Sequence, residues 1–466
     1  MKGEKMRIFK KRLTMVFTLL SLLLLINSAV LADSSFKGIT INFLTNTNLH
    51  QEIIATQMEK VAKEMGMEVN TRFLTVDELK LKGIMDYIGG VSTWDIIYTG
   101  GIQQMYELWN MGAVAPIQDF INDKDLVNHD LLQLDDIAPS GLKAVTFNGQ
   151  ILGFVATKSE QALAYREDLF NNKIEKEAFK EKYDYELQPP ETYKQFKDVA
   201  EFFTRKKGEK LCGVTLENDF YGTSFPNKKG TLLWHSYQNL IIAFGVQVYN
   251  PETGKPEFDS PANIDALRYY GSLVPFLPEN HMNMGSGECV ALFADGKIAM
   301  VTQYFDRIVG TVDKPDSKVK GKVKYAFPPT EVGNPLNRKH AYRSGPAVLI
   351  ISSLSRNKEA AYKLLEATLS AENQYEMAQD PGYISTKMSV LQRIAKEKPV
   401  MEYLSRAEEA GIDNLTDAGI LPYPSILKSA KIGDIVSDAV SAVLTGASPE
   451  KEANKAQEKL EELFSK

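Results

Sequence analysis

The five histidines, His50, His129, His235, His281 and His340, are scattered, and none stands at a spacing that lets two imidazoles share a metal ion. The chain has no CxxC, no HExxH, no GxSxG nucleophile elbow and no GxxxxGK phosphate loop. Gly285-Ser286-Gly287 lacks the third glycine and the preceding strand that dinucleotide binding requires. Only Cys212 and Cys289 occur, and nothing in the sequence brings them together. Catalytic residues, a metal and a cofactor are therefore not expected. What remains suited to chemistry is hydrogen bonding and ring stacking. The run Thr45-Asn46-Thr47-Asn48 follows a strand and offers amides and hydroxyls, which both donate and accept; Asn46 and Asn48 serve equally well as turn formers.

The elements that must position such groups are legible from periodicity. Gly38–Leu44 alternates as a strand, and Gln51–Gly66 carries Ile53, Ile54, Met58, Val61 and Met65 at helical spacing. Met67–Phe73 and Trp94–Tyr98 read as further strands, with helices over Asp77–Ile88 and Ile102–Met111. That alternation predicts a parallel sheet covered by helices, to which Lys143–Phe154 returns. A polar hexad, 156–161, then separates two apolar runs, and no turn signal marks it. It reads as an extended, solvated passage from one domain into another. Beyond it, Thr192 with Gln195 forms a capping box for a helix over Tyr193–Phe203. Leu211–Leu216, Ile298–Val301, Lys322–Phe327 and Ala347–Ile351 are predicted strands, and the last hundred residues are mostly helical.

Residues 1–12 carry six Lys or Arg against one acid, residues 13–26 are apolar but for Thr14, Thr18 and Ser21, and Val30-Leu31-Ala32 precedes Asp33. A basic start, a short apolar core and small residues describe a secretory signal peptide cleaved after Ala32. The core is shorter than the roughly 20 residues a spanning helix needs. No Cys stands near the cleavage site, so lipid attachment is not expected and the product is periplasmic or secreted. Losing those residues moves the formal net charge from −6 to −11, which argues against nucleic acid as a partner. The remaining chain is too long for one core, so two domains are expected.

Several stretches, in order along the chain, resemble the bacterial extracellular solute-binding proteins that deliver carbohydrates to ATP-driven importers, the group of maltose-binding protein. They include Trp94-Asp95-Ile96-Ile97, 109–117 (WNMGAVAPI), 147–154 (FNGQILGF), 164–170 (AYREDLF) and Pro189-Pro190-Glu191-Thr192-Tyr193. Further on come 293–300 (FADGKIAM), 317–323 (SKVKGKV) and Gly382-Tyr383. The 317–323 run is more similar to members that take small sugars or polyols.

The resemblance implies an α/β, two-lobed periplasmic-binding-protein-like fold of type II with three hinge crossings, at 156–161, near Tyr325–Pro328 and near Ala367–Ser370. Lobe 1 would then be 33–156 plus 326–369, and lobe 2 would be 157–325 plus 370–466. A monomer would hold a small carbohydrate between them and present it to a transmembrane permease. Matched to the family, Thr99 and Gly100 fall in a ligand-binding loop. Trp234 falls at a cleft aromatic. Tyr304, Phe305 and Asp306 stand where the family has a stacking tryptophan, with Tyr304 the expected platform and Asp306 a hydroxyl acceptor. Gly382 and Tyr383 match a cleft motif without its usual proline. Arg343 and Ser344, before the strand 347–351, could fork onto a polar ligand or form a salt bridge. Rival readings are a receptor for an oligopeptide or polyol phosphate, and an exported enzyme on the same fold. The exported protein should begin near Asp33; mass spectrometry that finds the intact N-terminus on exported protein overturns the signal-peptide reading.

Overall fold

The computed structural model describes residues 36–331, 342–343, 345–409, 414–415 and 425–465, so the expected signal peptide lies outside the described residues. From the start, β1 (Thr40–Asn46), α1 (Leu49–Glu64), β2 (Glu68–Leu74), α2 (Val76–Ile88), β3 (Ile96–Tyr98) and α3 (Ile102–Asn110) alternate as the periodicity predicts, and a short β4 (Val114–Ala115) follows. β5 (Phe154–Thr157) and β6 (Gln161–Arg166) follow a helical detour. After α4 (Tyr193–Phe203) and α5 (Thr231–Phe244) come β7 (Met300–Tyr304), α6 (Phe305–Val312), β8 (Val323–Ala326) and β9 (Ala347–Ser352). The C-terminal part holds α7 (Lys358–Thr368), α8 (Ala371–Met377), α9 (Met388–Glu397), α10 (Glu402–Glu409) and α11 (Ser429–Leu444).

Two sheets organise these elements. The first has the order β2-β1-β3-β9-β4, with β5 also paired to β9. β1 runs parallel to β2 and β3, but β9 is antiparallel to each of its partners, so the sheet is mixed where a parallel one was predicted. The reason is chain order: β9 follows β8 of the second sheet, so it need not take the direction that a strand–helix–strand crossover within one sheet imposes. The second sheet is β7-β6-β8, antiparallel throughout. The result is a mixed helix-and-sheet architecture with two lobes, as the resemblance implies.

Local chemistry explains where elements start. Thr75 and Thr192 each cap a helix with a reciprocal box, through Glu78 and Gln195; such a cap contributes about 1 kcal/mol. The predicted strand 211–216 is instead a tight ladder of Lys210–Leu211 against Val214–Thr215, turned by Cys212 and Gly213 at φ of 52° and 80°. Cys212 and Cys289 are both free.

Between β5 and β6 the chain leaves the first sheet and enters the second, as the hexad predicts. It is not solvated, however: Ala156, Thr157, Lys158, Ser159, Glu160 and Gln161 are all buried. Its backbone is claimed from several sides, since Lys158 N donates to Ile384 O, Gly345 N to Ser159 O and Phe305 N to Glu160 O. The polar side chains pair internally: Lys158 Nζ lies 2.5 Å from Glu160 Oε1.

The packing also changes partner later than Ser370. α8 sits on α1, where Gln57 donates to Asn373 and Glu376, and Lys60 pairs with Glu376. Ala138 N donates to Thr386 O, which ties the next stretch to the first lobe as well. Only with α10 does the chain rejoin the second sheet, through Tyr403 Oη on Gln161 O and a Tyr403–Phe305 stack. Sequence periodicity could not show this, because it reports that a helix has an apolar face and not which lobe covers it.

At Gly153, just ahead of β5, two backbones approach closely. A Cβ there would fall 2.7 Å from Leu349 O and 3.1 Å from Ile350 Cγ2 on β9. Gly153→Ala should therefore cost about 1–3 kcal/mol by overpacking. Gly287→Ala, where a Cβ meets nothing, should cost far less. Equal urea midpoints for the two variants would contradict the β5–β9 register.

Candidate functional cleft

The strands that end beside the crossing define one edge of each sheet. In the first, β1 ends at Asn46, Thr99 N reaches Val348 O beyond β3, and Ala347 pairs with Thr157. In the second, Tyr304 pairs with Gln161, so β7 delivers Tyr304, Phe305 and Asp306 to the same crossing. The loops on these edges face each other: the Arg307 guanidinium of the second lobe lies near enough to His50 of the first to disfavour its protonation. Burial is the larger cause, and together they hold the His50 imidazole down to about 4. Open α/β sheets bind ligands at such strand-end crevices.

Both faces carry buried polar atoms with no hydrogen-bond partner. On the first lobe these are Asn46 Oδ1 and Gln51 Nε2, whose partner oxygen Gln51 Oε1 is occupied by Thr45 Oγ1 at 2.7 Å. On the second it is Asp306 Oδ1. Asp306 lies in the first turn of α6, where burial pushes its carboxyl up to about 6 against the pull of Arg307 and the backbone of Asp306 and Arg307. An unpaired buried group costs about 1–3 kcal/mol. Asn46 and Asp306 are acceptors wanting donors; Gln51 is a donor wanting an acceptor. A hydroxyl-bearing ligand supplies both.

The other expected site residues divide by what already holds them. Tyr304 is half-buried, with the Arg307 guanidinium 5.7 Å from its ring centre. Asn48 is spent as the N-cap of α1, accepting from Gln51 N, which is its turn-forming alternative. Thr99 is buried and turns its hydroxyl back onto Gly101 O, while Gly100 and Gly101, at φ of 64° and 155°, form the bare turn into α3.

Three aromatic expectations are corrected by packing. Phe305 is fully buried between Tyr325 and Tyr403, with ring centres 4.9 and 5.2 Å away, and shows no face to the cleft. Trp234 lies against Gly433 of α11, close enough that a Cβ at Gly433 would fall 2.9 Å from Trp234 Cδ1. Tyr383 is fully buried and donates to Ala156 O at 2.7 Å, bracing the crossing. Gly382 lies under Leu49. The backbone of Arg343 pairs with Leu415, and Ser344 lies outside the described residues.

Sequence reasoning missed His50, Gln51, Lys158, Glu160 and Arg307. The available signal was adjacency, since each lies within a few residues of a site loop or inside the crossing. Among the described residues no group of three or more His, Cys, Asp or Glu could hold a metal ion.

The family described as bacterial extracellular solute-binding protein matches residues 66–402, and the chain belongs to it. No curated protein matches the sequence. Solved structures share the fold. One is an ABC transporter solute-binding protein from Agrobacterium radiobacter K84 in complex with ribitol, at 21% identity and a TM-score of 0.74, covering 92% of this chain and 100% of its own. The maltose-bound MalE3 of T. maritima matches at 20% and 0.70, covering 91% and 100%. A solute-binding protein from Agrobacterium vitis S4 with bound D-mannitol matches at 21% and 0.69, covering 92% and 99%.

The Asp306 carboxyl yields a sign that can be checked. Its folded value is raised from 3.8 to about 6, so the folded state holds the proton more tightly than the unfolded one. The resulting penalty is absent at low pH, grows as pH rises through that window and is constant above it. Melting temperatures of Asp306→Asn relative to wild type should therefore diverge in the variant's favour between pH 4 and 6 and run level above pH 7. A constant offset across the whole range refutes the buried-acid assignment.

Proposed function

We propose that the chain is an extracytoplasmic receptor that binds a small sugar or polyol in the cleft between its lobes and delivers it to an ABC import permease. The observation that carries this is the set of unpaired buried atoms at the strand-end edges of the two lobes, Asn46 Oδ1 and Gln51 Nε2 on one and Asp306 Oδ1 on the other. A polyhydroxylated solute pairs all three, because each hydroxyl both donates and accepts. Membership of the solute-binding family supports the reading, as do fold neighbours whose own ligands are ribitol, D-mannitol and maltose.

In this reading lobe 1 is 33–156 with 326–369 and, from its packing, 371–397. Lobe 2 is 157–325 with the chain from Glu402 onward. The crossing 157–161 is the hinge. The receptor binds without turnover, acts as a monomer and works in the periplasm or outside the cell after loss of its signal peptide. No helix among the described residues is long and apolar enough to cross a membrane.

Tyr304 supplies apolar contact to any sugar face, whereas Asn46 reads the hydroxyl pattern. Tyr304→Ala should therefore weaken all ligands by a similar factor, and Asn46→Ala should change the ranking among epimers. Loss of the Asn46 contact should be worth about 1–3 kcal/mol for the epimer that makes it. A thermal-shift screen over mono-, di- and oligosaccharides and polyols finds the ligands, since binding to the native state alone raises its melting temperature. Calorimetric titration of both variants then decides the division of labour. A screen in which no sugar or polyol shifts the melting temperature removes the carbohydrate reading.

A further inference from the structure

We infer that Asp306 makes the cleft select neutral or cationic polyhydroxylated solutes and reject acidic ones, such as aldonates and sugar phosphates. The inference rests on the receptor reading above and specifies the charge of its ligand. The first argument is a count of hydrogen-bond roles. Two of the unpaired cleft atoms, Asn46 Oδ1 and Asp306 Oδ1, are acceptors, and one, Gln51 Nε2, is a donor. A hydroxyl satisfies any of them. An ionised carboxylate or phosphate oxygen has no proton to give and can satisfy only Gln51, leaving both acceptors unpaired at the end where it binds.

The second argument is electrostatic. A like charge beside a covered carboxylate is repelled more strongly than it would be in water, because the local dielectric is lower. Among the described residues, the cations in and beside the crossing are already engaged. Lys158 stands 2.5 Å from Glu160, both side chains almost wholly buried, so that pair sums to zero. Arg307 adjoins Asp306 in the chain and lies over the Tyr304 ring, so with Asp306 ionised its charge is also matched. His50, facing from α1, stays neutral down to about 4 and brings no positive charge at ordinary pH.

The geometry fixes Asp306 in this role. Tyr304 is registered against Gln161, and Phe305 N is held by Glu160 O at 2.8 Å, so Asp306 follows a backbone pinned to the crossing. Its carboxyl belongs to the first turn of α6, whose dipole favours the ionised form, while burial favours the neutral one. A ligand hydroxyl donating to Oδ1 adds to the side of the ionised form. Binding near pH 6 therefore expels a proton from Asp306. Of the titratable groups around it, Arg307 and Tyr304 share its turn, His50 of α1 faces Arg307, and Lys158 with Glu160 lies in the crossing that pins Phe305.

The test titrates wild type and Asp306→Asn with three matched pairs, ribitol and ribonate, mannitol and mannonate, and maltose and maltobionate. In wild type at pH 7.5 the neutral member of whichever pair binds should be at least tenfold tighter than its acid. In Asp306→Asn, which leaves Arg307 unmatched, that gap should shrink at least threefold. Neutral-ligand affinity of wild type should rise from pH 5 to pH 7.5, with a binding heat at pH 6 that varies with buffer ionisation enthalpy. The wild-type measurements stand even if the variant fails to fold. An acid bound as tightly as its neutral partner, or no proton released at pH 6, overturns the inference and leaves the receptor reading intact. Failure of all six to bind sinks both.

Discussion

The four residues Thr157 to Glu160 are the constraint on which the rest depends. Each lobe hangs its cleft edge on them: Thr157 pairs with Ala347, Lys158 N with Ile384 O, Ser159 O with Gly345 N, and Glu160 O with Phe305 N. Tyr383 and Tyr403 then hold the flanking carbonyls of Ala156 and Gln161. A buried backbone passage between sheets has lost its ladder partners, and each unmet group would cost what a lost hydrogen bond costs. Here the partners come from three separate parts of the chain, which fixes where the cleft residues stand. The Lys158–Glu160 pair solves the same problem for side chains. Removing one member would leave a buried charge uncompensated, at about 3–5 kcal/mol, even though the intact pair contributes little net stability.

That burial is also where sequence reading stopped. The alternation of β1 to β3, the capping box at Thr192, and the helix over Tyr193–Phe203 are local properties, and the chain shows them as predicted. The hexad 156–161 was legible as a passage between domains but not as a covered one. Polar residues signal solvent only when nothing else can satisfy them, and Ile384, Gly345 and Phe305 are 140 to 230 residues distant. The same logic misplaced α8 and α9: their amphipathic patterns are correct, while the lobe they cover is a tertiary fact.

The candidate site was legible in outline and not in detail. The loop after β1 pointed to Asn46 and position in the family pattern to Asp306, the residues whose acceptor oxygens remain unpaired. Position in the family pattern also pointed to Trp234, Phe305 and Tyr383, which packing consumes. A large ring is worth more buried than exposed, roughly 1.5–3 kcal/mol for a side chain of this size, so an aromatic near a cleft is readily drawn into the core. Tyr304 escapes because β7 ends there and its neighbour Phe305 takes the interior place. His50 and Gln51 went unread because their sequence context is that of an ordinary helix start.

The same unpaired atoms set the energetics of the proposed closure. With the lobes apart, water can satisfy Asn46, Gln51 and Asp306, so the open form carries no penalty at them. Bringing the faces together without a ligand strips that water, and at about 1–3 kcal/mol per atom the three oppose closure by about 3–9 kcal/mol. A ligand that pairs all three removes the opposition. Moving a two-state equilibrium from 1:99 to 99:1 takes about 5.5 kcal/mol of differential affinity. The cleft's unmet hydrogen bonds lie in that range, so they suffice to make closure report the ligand. A solute that leaves even one acceptor unpaired forfeits a large part of the difference, which couples recognition of the hydroxyl pattern to the change of shape a permease would sense.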